Sequence, residues 1–212
     1  MTRVARILVN ALAFGVGFGA TNSLVNAISN HYADLESRIA TTSGAKPLEI
    51  VATLLDSGWA WAGFAVAVGW LVARGGGRTL LAQAALAGAV ALLAATAAYS
   101  VVDTIRGGGP LSSWYESEPI VWWFASVVFG APLGAVGACI PRPGVIGLVA
   151  RLTVPVGAAV QMIVLAPGRN AVITSIGQTV VWTASAVSIA FILTRFLQVE
   201  RRRFTSAGAE KP

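Results

Sequence analysis

The apolar segment from Ile7 to Ile28 constrains the fold of this chain more than any other feature. It follows two arginines, Arg3 and Arg6, near the start of the sequence. A helix that crosses a bilayer needs about 20 mostly apolar residues, and this segment is long enough. We therefore predict a first transmembrane helix over about residues 4–29.

A secretory signal peptide is the competing interpretation, because the two arginines resemble its charged n-region. The apolar run exceeds the usual h-region of about 7–15 residues, and no clear cleavage site of small residues follows it. We therefore expect the segment to be retained as a span.

One face of this segment carries a small residue at every fourth position. Residues four apart lie above one another on a helix, and small side chains there let a second helix approach closely. We predict a helix-packing or partner-docking face formed by Ala11, Gly15, Gly19, Ser23 and Ala27.

Composition extends the membrane interpretation to the whole chain. Only 11% of the 212 residues are charged and 56% are hydrophobic, with a mean hydropathy of +0.72. Soluble domains carry about 25% charged residues, so most of this surface is expected to face lipid.

The predicted fold class is all-α, an integral membrane bundle over residues 1–200, followed by a basic and then polar cytoplasmic tail at 201–212. Its six transmembrane helices lie at about 4–29, 50–73, 79–102, 119–140, 145–166 and 171–197.

The distribution of charge predicts the orientation. With the N-terminus inside, the cytoplasmic ends of the spans carry eleven of the 15 basic residues and only two of the nine acidic ones. Cytoplasmic loops are enriched in lysine and arginine. We therefore predict cytoplasmic N- and C-termini and attribute the net charge of +6 to topology, with no nucleic acid as a partner.

Polar residues inside the predicted spans are candidates for ligand binding, because ionisable groups in a membrane cost free energy. An outward-facing cavity would bind a cation or a polar group on Asp56, stack the ligand on Trp59 and orient it with amides. The alternative is that Asp56 caps a helix starting near Ser57 and that Asp103 lies at headgroup level. The full candidate set is Asn22, Asn26, Asp56, Trp59, Tyr99 and Asp103.

Amides in the spans have a second interpretation, as hydrogen-bonding links between helices. Six residues of this kind lie in the spans: Asn10, Asn22, Asn26, Gln83, Gln161 and Gln178. A second stripe of small residues, in the fourth span, is also expected to pack closely; it consists of Gly130, Gly134 and Ala138. Pro132 and Pro155 are expected to bend their helices.

Other basic residues are assigned to the lipid bilayer. Arg151 is expected to extend to the inner headgroups or to contact a cytoplasmic partner or an anionic lipid. A terminal cluster is predicted to anchor to anionic lipids; it consists of Arg201, Arg202 and Arg203.

The sequence lacks the residues that carry most enzyme chemistry. One histidine and one cysteine, Cys139, leave no histidine–cysteine metal cluster, no disulfide and no paired nucleophile and base. Gly75-Gly-Gly77 lacks the lysine of a phosphate-binding loop. We therefore expect no cofactor, no metal and no enzymatic activity.

Three motifs carry a family resemblance: Asp56-Ser-Gly-Trp-Ala-Trp-Ala-Gly-Phe64, the alanine-rich span ending Ala97-Ala-Tyr99, and Phe129-Gly-Ala-Pro-Leu-Gly-Ala-Val-Gly137. Together the region resembles uncharacterised six-span membrane proteins of actinobacteria, grouped as a domain of unknown function. That resemblance implies the bacterial inner membrane as location. The overall architecture is also similar to substrate-binding subunits of energy-coupling-factor vitamin transporters, which implies docking onto a membrane subunit, with an ATPase.

Two functions follow as hypotheses. The first is a small-molecule transport component, either a substrate-binding subunit or a small carrier. The second is a non-transporting accessory or scaffold protein of the cell envelope, which would use the small-residue stripes only for assembly.

Overall fold

The computed structural model describes residues 2–36, 47–75, 80–110, 117–166 and 171–209. Within these ranges the chain forms seven helices and no strand. They are α1 (Arg3–Glu36), α2 (Pro47–Leu55), α3 (Gly58–Arg74), α4 (Leu80–Gly107), α5 (Ser117–Cys139), α6 (Gly144–Val164) and α7 (Ala171–Ala209). The predicted all-helical fold is confirmed for this part of the chain.

Five of these helices, α1, α4, α5, α6 and α7, are long and apolar enough to cross a membrane. The predicted span at 50–73 is instead two helices, α2 and α3, bent by 60° at a short break. The predicted span is therefore broken, because Asp56-Ser-Gly58 interrupts the run with residues that favour caps and turns over helix interiors. Counted together, α2 and α3 make a sixth candidate span.

Two helices extend beyond the predicted apolar spans. α1 continues from its apolar part to Glu36, and α7 continues through Arg201 to Ala209. The predicted loop after residue 29 and the predicted tail after residue 200 therefore both begin as helix. Hydropathy marks only the lipid-facing part of a helix, and polar residues can extend its backbone hydrogen bonding into water. The side chains of residues 30–36 and 202–209 lie outside the described part of the structure.

The prolines and glycines have different effects on the helices. α5 runs on past Pro132 and α6 past Pro155, so neither proline ends its helix. Gly108, directly after α4, has a φ of +64°, and Gly144, the first residue of α6, has a φ of +73°. Side chains with a Cβ rarely adopt this left-handed conformation, so these two turns depend on glycine.

α4 is the central helix of the bundle, and α1, α3 and α5 pack around it. Its interior face is made mainly of alanine, which allows three neighbouring helices to approach its backbone. Four of these alanines are fully buried: Ala84, Ala87, Ala91 and Ala95.

The small-residue stripe of α1 packs against α4. A side chain on Gly15 would overlap with the carbonyl oxygen of Ala91, and one on Gly19 would overlap with that of Ala95. The whole stripe is buried, so in this structure it forms an internal packing face and is not available to a separate partner. Its members are Ala11, Gly15, Gly19, Ser23 and Ala27.

The small-residue stripe of α5 also lies in the interior. A side chain on Gly130 would overlap with the backbone at Ala89 of α4, and one on Gly134 would overlap with the carbonyl of Ala84. Ala138, the last member of the stripe, is 7% exposed. The other side of α5 packs on α3, where Gly137 lies against the carbonyl of Val66.

α6 and α7 form the outer part of the bundle. α7 packs mainly on α6 and on α2, whereas α6 also contacts α3 and α5. Large apolar side chains cover the outside of the bundle, including Phe124, Ile163 and Leu165, each 73% exposed. A surface this apolar is suited to lipid.

Candidate functional site

The break between α2 and α3 places Asp56 and Ser57 inside a candidate span. Ser57 occupies the N-cap position of α3 with an extended backbone, φ −75° and ψ 145°, and no side chain caps the helix. Its hydroxyl donates instead to the carbonyl of Leu54 in α2. Asp56 precedes it and is exposed. Asp56 therefore does not cap α3, although that helix does begin beside Ser57 as the alternative interpretation expected.

Side-chain amides from two other helices bind the backbone groups that this break leaves free. The Asn22 amide nitrogen, on α1, donates to the carbonyl oxygen of Leu55 at 3.0 Å. The Gln161 amide oxygen, on α6, accepts from the backbone N–H of Trp59 at 2.7 Å. The ends of a helix have no partners of their own for such groups, and lipid offers none. These two amides therefore make the break possible inside an apolar bundle.

Gly58 makes room for one of these amides. A Cβ at Gly58 would lie 3.2 Å from the Gln161 amide oxygen, which is closer than ordinary van der Waals contact. The absence of a side chain there allows α6 to approach the first turn of α3.

A second polar contact lies beside the break. The Asn26 amide on α1 donates to the hydroxyl oxygen of Tyr99 on α4 at 3.0 Å. The Tyr99 ring packs edge-on to Trp61, with a centroid distance of 6.2 Å, and Trp61 in turn meets Phe18 at 5.3 Å. This aromatic layer connects α1, α3 and α4 at the level of the break.

The two candidate aspartates are placed differently. Asp103 is exposed on α4 and forms an ion pair of 3.6 Å with Arg106, one turn further on. Among the described residues Asp56 has no ion-pair partner. Asp56 is therefore an exposed acid at the break without an ion pair in the described part of the chain.

Trp59 is less open than the predicted stacking role requires. Its ring packs against a buried apolar cluster formed by Ala158, Met162 and Val181 on α6 and α7. The indole nitrogen is buried without a hydrogen-bond partner among the described residues. The ring is therefore part of the packing of α3 against α6 and α7, and the stacking role predicted for it stays a prediction.

Two further buried polar atoms lie near the site without a partner in the described ranges. They are the amide oxygen of Asn22, a residue that is 2% exposed, and the hydroxyl of Ser23, which is fully buried. Buried polar groups are nearly always hydrogen-bonded. Within the described ranges these two atoms are exceptions to that rule.

The structure thus places Asn22 and the exposed Asp56 at the break and joins Asn26 to Tyr99 beside it. The Trp59 ring instead packs toward α6 and α7, and Asp103 pairs with Arg106 near the end of α4. Gln161 was predicted only as a link between helices, yet it holds the first turn of α3. The sequence feature that pointed to this role of Gln161 was an amide side chain in the middle of an apolar span. The prediction of interhelical amide bonds is confirmed for Asn22, Asn26, Gln161 and Gln178, the last of which donates to the carbonyl of Met162 at 2.9 Å.

The basic residues outside the site have simpler surroundings. The Arg151 guanidinium donates to the carbonyl oxygen of Ile140 at 3.1 Å, so it binds the backbone at the end of α5. Arg201 is exposed on α7, and the side chains of Arg202 and Arg203 lie outside the described residues. In the described ranges no three His, Cys, Asp or Glu side chains are grouped as metal ligands.

No protein-family model matches the chain, and comparisons with curated proteins and with solved structures find no match either. The class of the protein therefore rests on its own fold and site. The described residues form a helical, apolar bundle of the kind that membrane-spanning proteins have, with a polar break in one candidate span.

Proposed function

We propose that the protein is a six-span component of the bacterial inner membrane, with both termini cytoplasmic, that binds and transports a small cationic molecule. The observation that carries this proposal is the interrupted span α2–α3, with the unpaired carboxylate of Asp56 at the break. Discontinuous helices line substrate and ion sites in many transporters, because their free backbone groups and polar side chains face a cavity.

The orientation and the location in this proposal rest on sequence. The excess of basic residues at one set of helix ends favours cytoplasmic termini. The break between α2 and α3 would then lie toward the outer surface. The inner membrane is the location that the sequence resemblance implies, and the apolar helices of the described residues fit a membrane location.

Of the two transport forms, the small carrier fits the packing better than a subunit that docks through α1. Docking of that kind requires a free small-residue face, and the stripe of α1 is buried against α4. The same burial weakens the scaffold hypothesis in the form that uses these stripes for assembly. An ATPase or a second membrane subunit would have to bind another surface.

The test is ligand binding by the full-length protein in nanodiscs, with Asp56→Asn as the variant and Glu49→Gln as the control. Glu49 is also an acid on α2, but it lies in the first turn of that helix, away from the break. Small molecules that co-purify from native membranes are identified by mass spectrometry and then titrated back. A hydrogen bond to a charged group contributes about 1.5–3 kcal/mol, so Asp56→Asn should weaken binding of a cationic ligand about tenfold or more.

Two outcomes would contradict the proposal. One is that Asp56→Asn binds every such ligand as tightly as the wild type and the Glu49→Gln control do. The other is recovery of cell-envelope proteins with no small molecule, which would favour the scaffold hypothesis.

A further inference from the structure

A groove of about 380 Å³ runs between α1 and α3, at the end of the bundle opposite the polar break. Its floor consists of Ala11 and Val68, both of which belong to a buried core cluster with α4. Its walls include Phe14 and Leu71, which are 54% and 45% exposed. The groove therefore has a fixed, apolar interior that opens toward lipid.

The packing of the helices explains why this space exists. α1 and α3 both pack on α4, whereas α1 and α3 make much less contact with each other. One turn beyond Phe14 and Val68, the rings of Phe18 and Phe64 stack at 4.4 Å and join the two helices. The groove is thus closed toward the centre of the bundle and open toward its end.

The open end of the groove is basic. Arg3 and Arg6 line it on α1, together with the amide of Asn10. The Arg3 guanidinium reaches across to α3, where it lies 3.0 Å from the position that a Cβ on Gly75 would occupy. Among the described residues neither arginine has an acidic partner. Two guanidinium groups without an acidic partner among the described residues therefore lie at the open end of the apolar groove.

We infer that this groove binds an anionic phospholipid, with one acyl chain between α1 and α3 and the phosphate on Arg3 and Arg6. The basic open end and the apolar walls of the groove together indicate this kind of ligand. Arginine is well suited to phosphate, because its planar guanidinium donates two parallel hydrogen bonds. The apolar walls, which face lipid, accept a hydrocarbon chain that a free phosphate ion lacks. Basic pockets between helices at the cytoplasmic side bind lipid headgroups of this kind. This inference is independent of the proposed transport activity.

The experiment uses the purified full-length protein in a neutral detergent, titrated with dioleoyl phosphatidylglycerol or dioleoyl phosphatidylcholine and observed by native mass spectrometry. The test variant is Arg3→Gln with Arg6→Gln. The control is Arg142→Gln with Arg195→Gln, which removes the same charge from two exposed residues outside the groove. Each arginine near a headgroup contributes about fivefold, so the test variant should bind phosphatidylglycerol about 30-fold more weakly. The control should bind it as the wild type does.

A third variant, Asn10→Phe, separates binding in the groove from general attraction to charge. It keeps both arginines and places a large ring in the exposed mouth of the groove, so phosphatidylglycerol binding should fall while the charge is unchanged. The inference would be overturned if phosphatidylcholine bound as tightly as phosphatidylglycerol. Three other results would overturn it as well. The Arg3/Arg6 and Arg142/Arg195 variants could lose phosphatidylglycerol binding equally, Asn10→Phe could bind this lipid as the wild type does, or inorganic phosphate could displace the lipid.

Discussion

The side-chain amide of Asn22 donates a 3.0 Å hydrogen bond to the carbonyl oxygen of Leu55, the last residue of α2. That carbonyl has no partner within α2, because the helix ends there. In an apolar environment an unpaired carbonyl is costly. The break between α2 and α3 therefore explains why the apolar helix α1 carries Asn22. The bond also fixes the position of α1 relative to the break.

The first prediction concerns this bond. Asn22→Ala should lower the free energy of unfolding by about 0.6–1.7 kcal/mol, which are the average and the largest values measured for such bonds in one helical membrane protein. The measurement is denaturation in mixed micelles, followed by tryptophan fluorescence. Asn10→Ala is the matched control, because Asn10 is on the same helix and exposed. Equal destabilisation by the two variants would show that the bond to Leu55 contributes nothing specific.

A second prediction concerns the bond between Gln161 and the N–H of Trp59. Gln161→Leu keeps the approximate size of the side chain but removes the acceptor, so the first turn of α3 should open more often. A hydrogen bond contributes about 1 kcal/mol, which corresponds to roughly fivefold faster amide exchange at Trp59. Hydrogen exchange with mass spectrometry of the peptide around the break would measure this.

Gln178→Leu is the control for that experiment. It removes a comparable bond, from Gln178 to the carbonyl of Met162, but leaves the Trp59 bond in place. Exchange at Trp59 should therefore stay at the wild-type rate. Faster exchange in both variants would indicate a general loosening of α6 in place of a local effect at the break.

The parts of this fold that follow from local sequence were predictable. Apolar length located the candidate spans, and the four-residue spacing of Gly15 and Gly19 located the packing face of α1. Both properties can be recognised within one helix, because they depend on the residues of that helix alone. The central position of α4 was not predictable, since its alanines show only that some helix can approach closely.

The candidate site was predictable only in part, because it depends on pairing between distant segments. The sequence showed Asp56 and the amides as unusual residues in apolar surroundings. It did not show that Gln161 lies against the N–H of Trp59, a contact across about half of the chain. The break itself was visible as Asp56-Ser-Gly58, but its 60° bend was not. α2 packs on α1 and α7, and no local pattern predicts those contacts.

A third prediction tests the proposed orientation. Single cysteines at Asp103 and at Arg142, both exposed and at opposite ends of the bundle, are introduced separately after Cys139 is replaced by serine. With cytoplasmic termini, a membrane-impermeant maleimide should label Asp103→Cys in intact cells and Arg142→Cys only after permeabilisation. The reversed pattern would place both termini outside. Labelling of both in intact cells would contradict the proposed topology altogether.

The last prediction tests the close approach of α1 and α4. A side chain on Gly19 would overlap with the backbone of Ala95, whereas one on Gly17, two residues away on the same helix, would meet nothing within 4 Å. Gly19→Ala should therefore separate the two helices and lower the free energy of unfolding by about 1–3 kcal/mol, as overpacking does in other cores. Gly17→Ala should be neutral, or stabilising by up to about 1 kcal/mol, since alanine favours helix more than glycine does. Denaturation in the same mixed micelles measures both variants. Asn22 and Asn26 lie on the helical turns after Gly19. The separation of α1 from α4 in Gly19→Ala should therefore also weaken the hydrogen bonds from Asn22 to Leu55 and from Asn26 to Tyr99. Equal stability of the two alanine variants would show that α1 does not pack on α4 through this stripe.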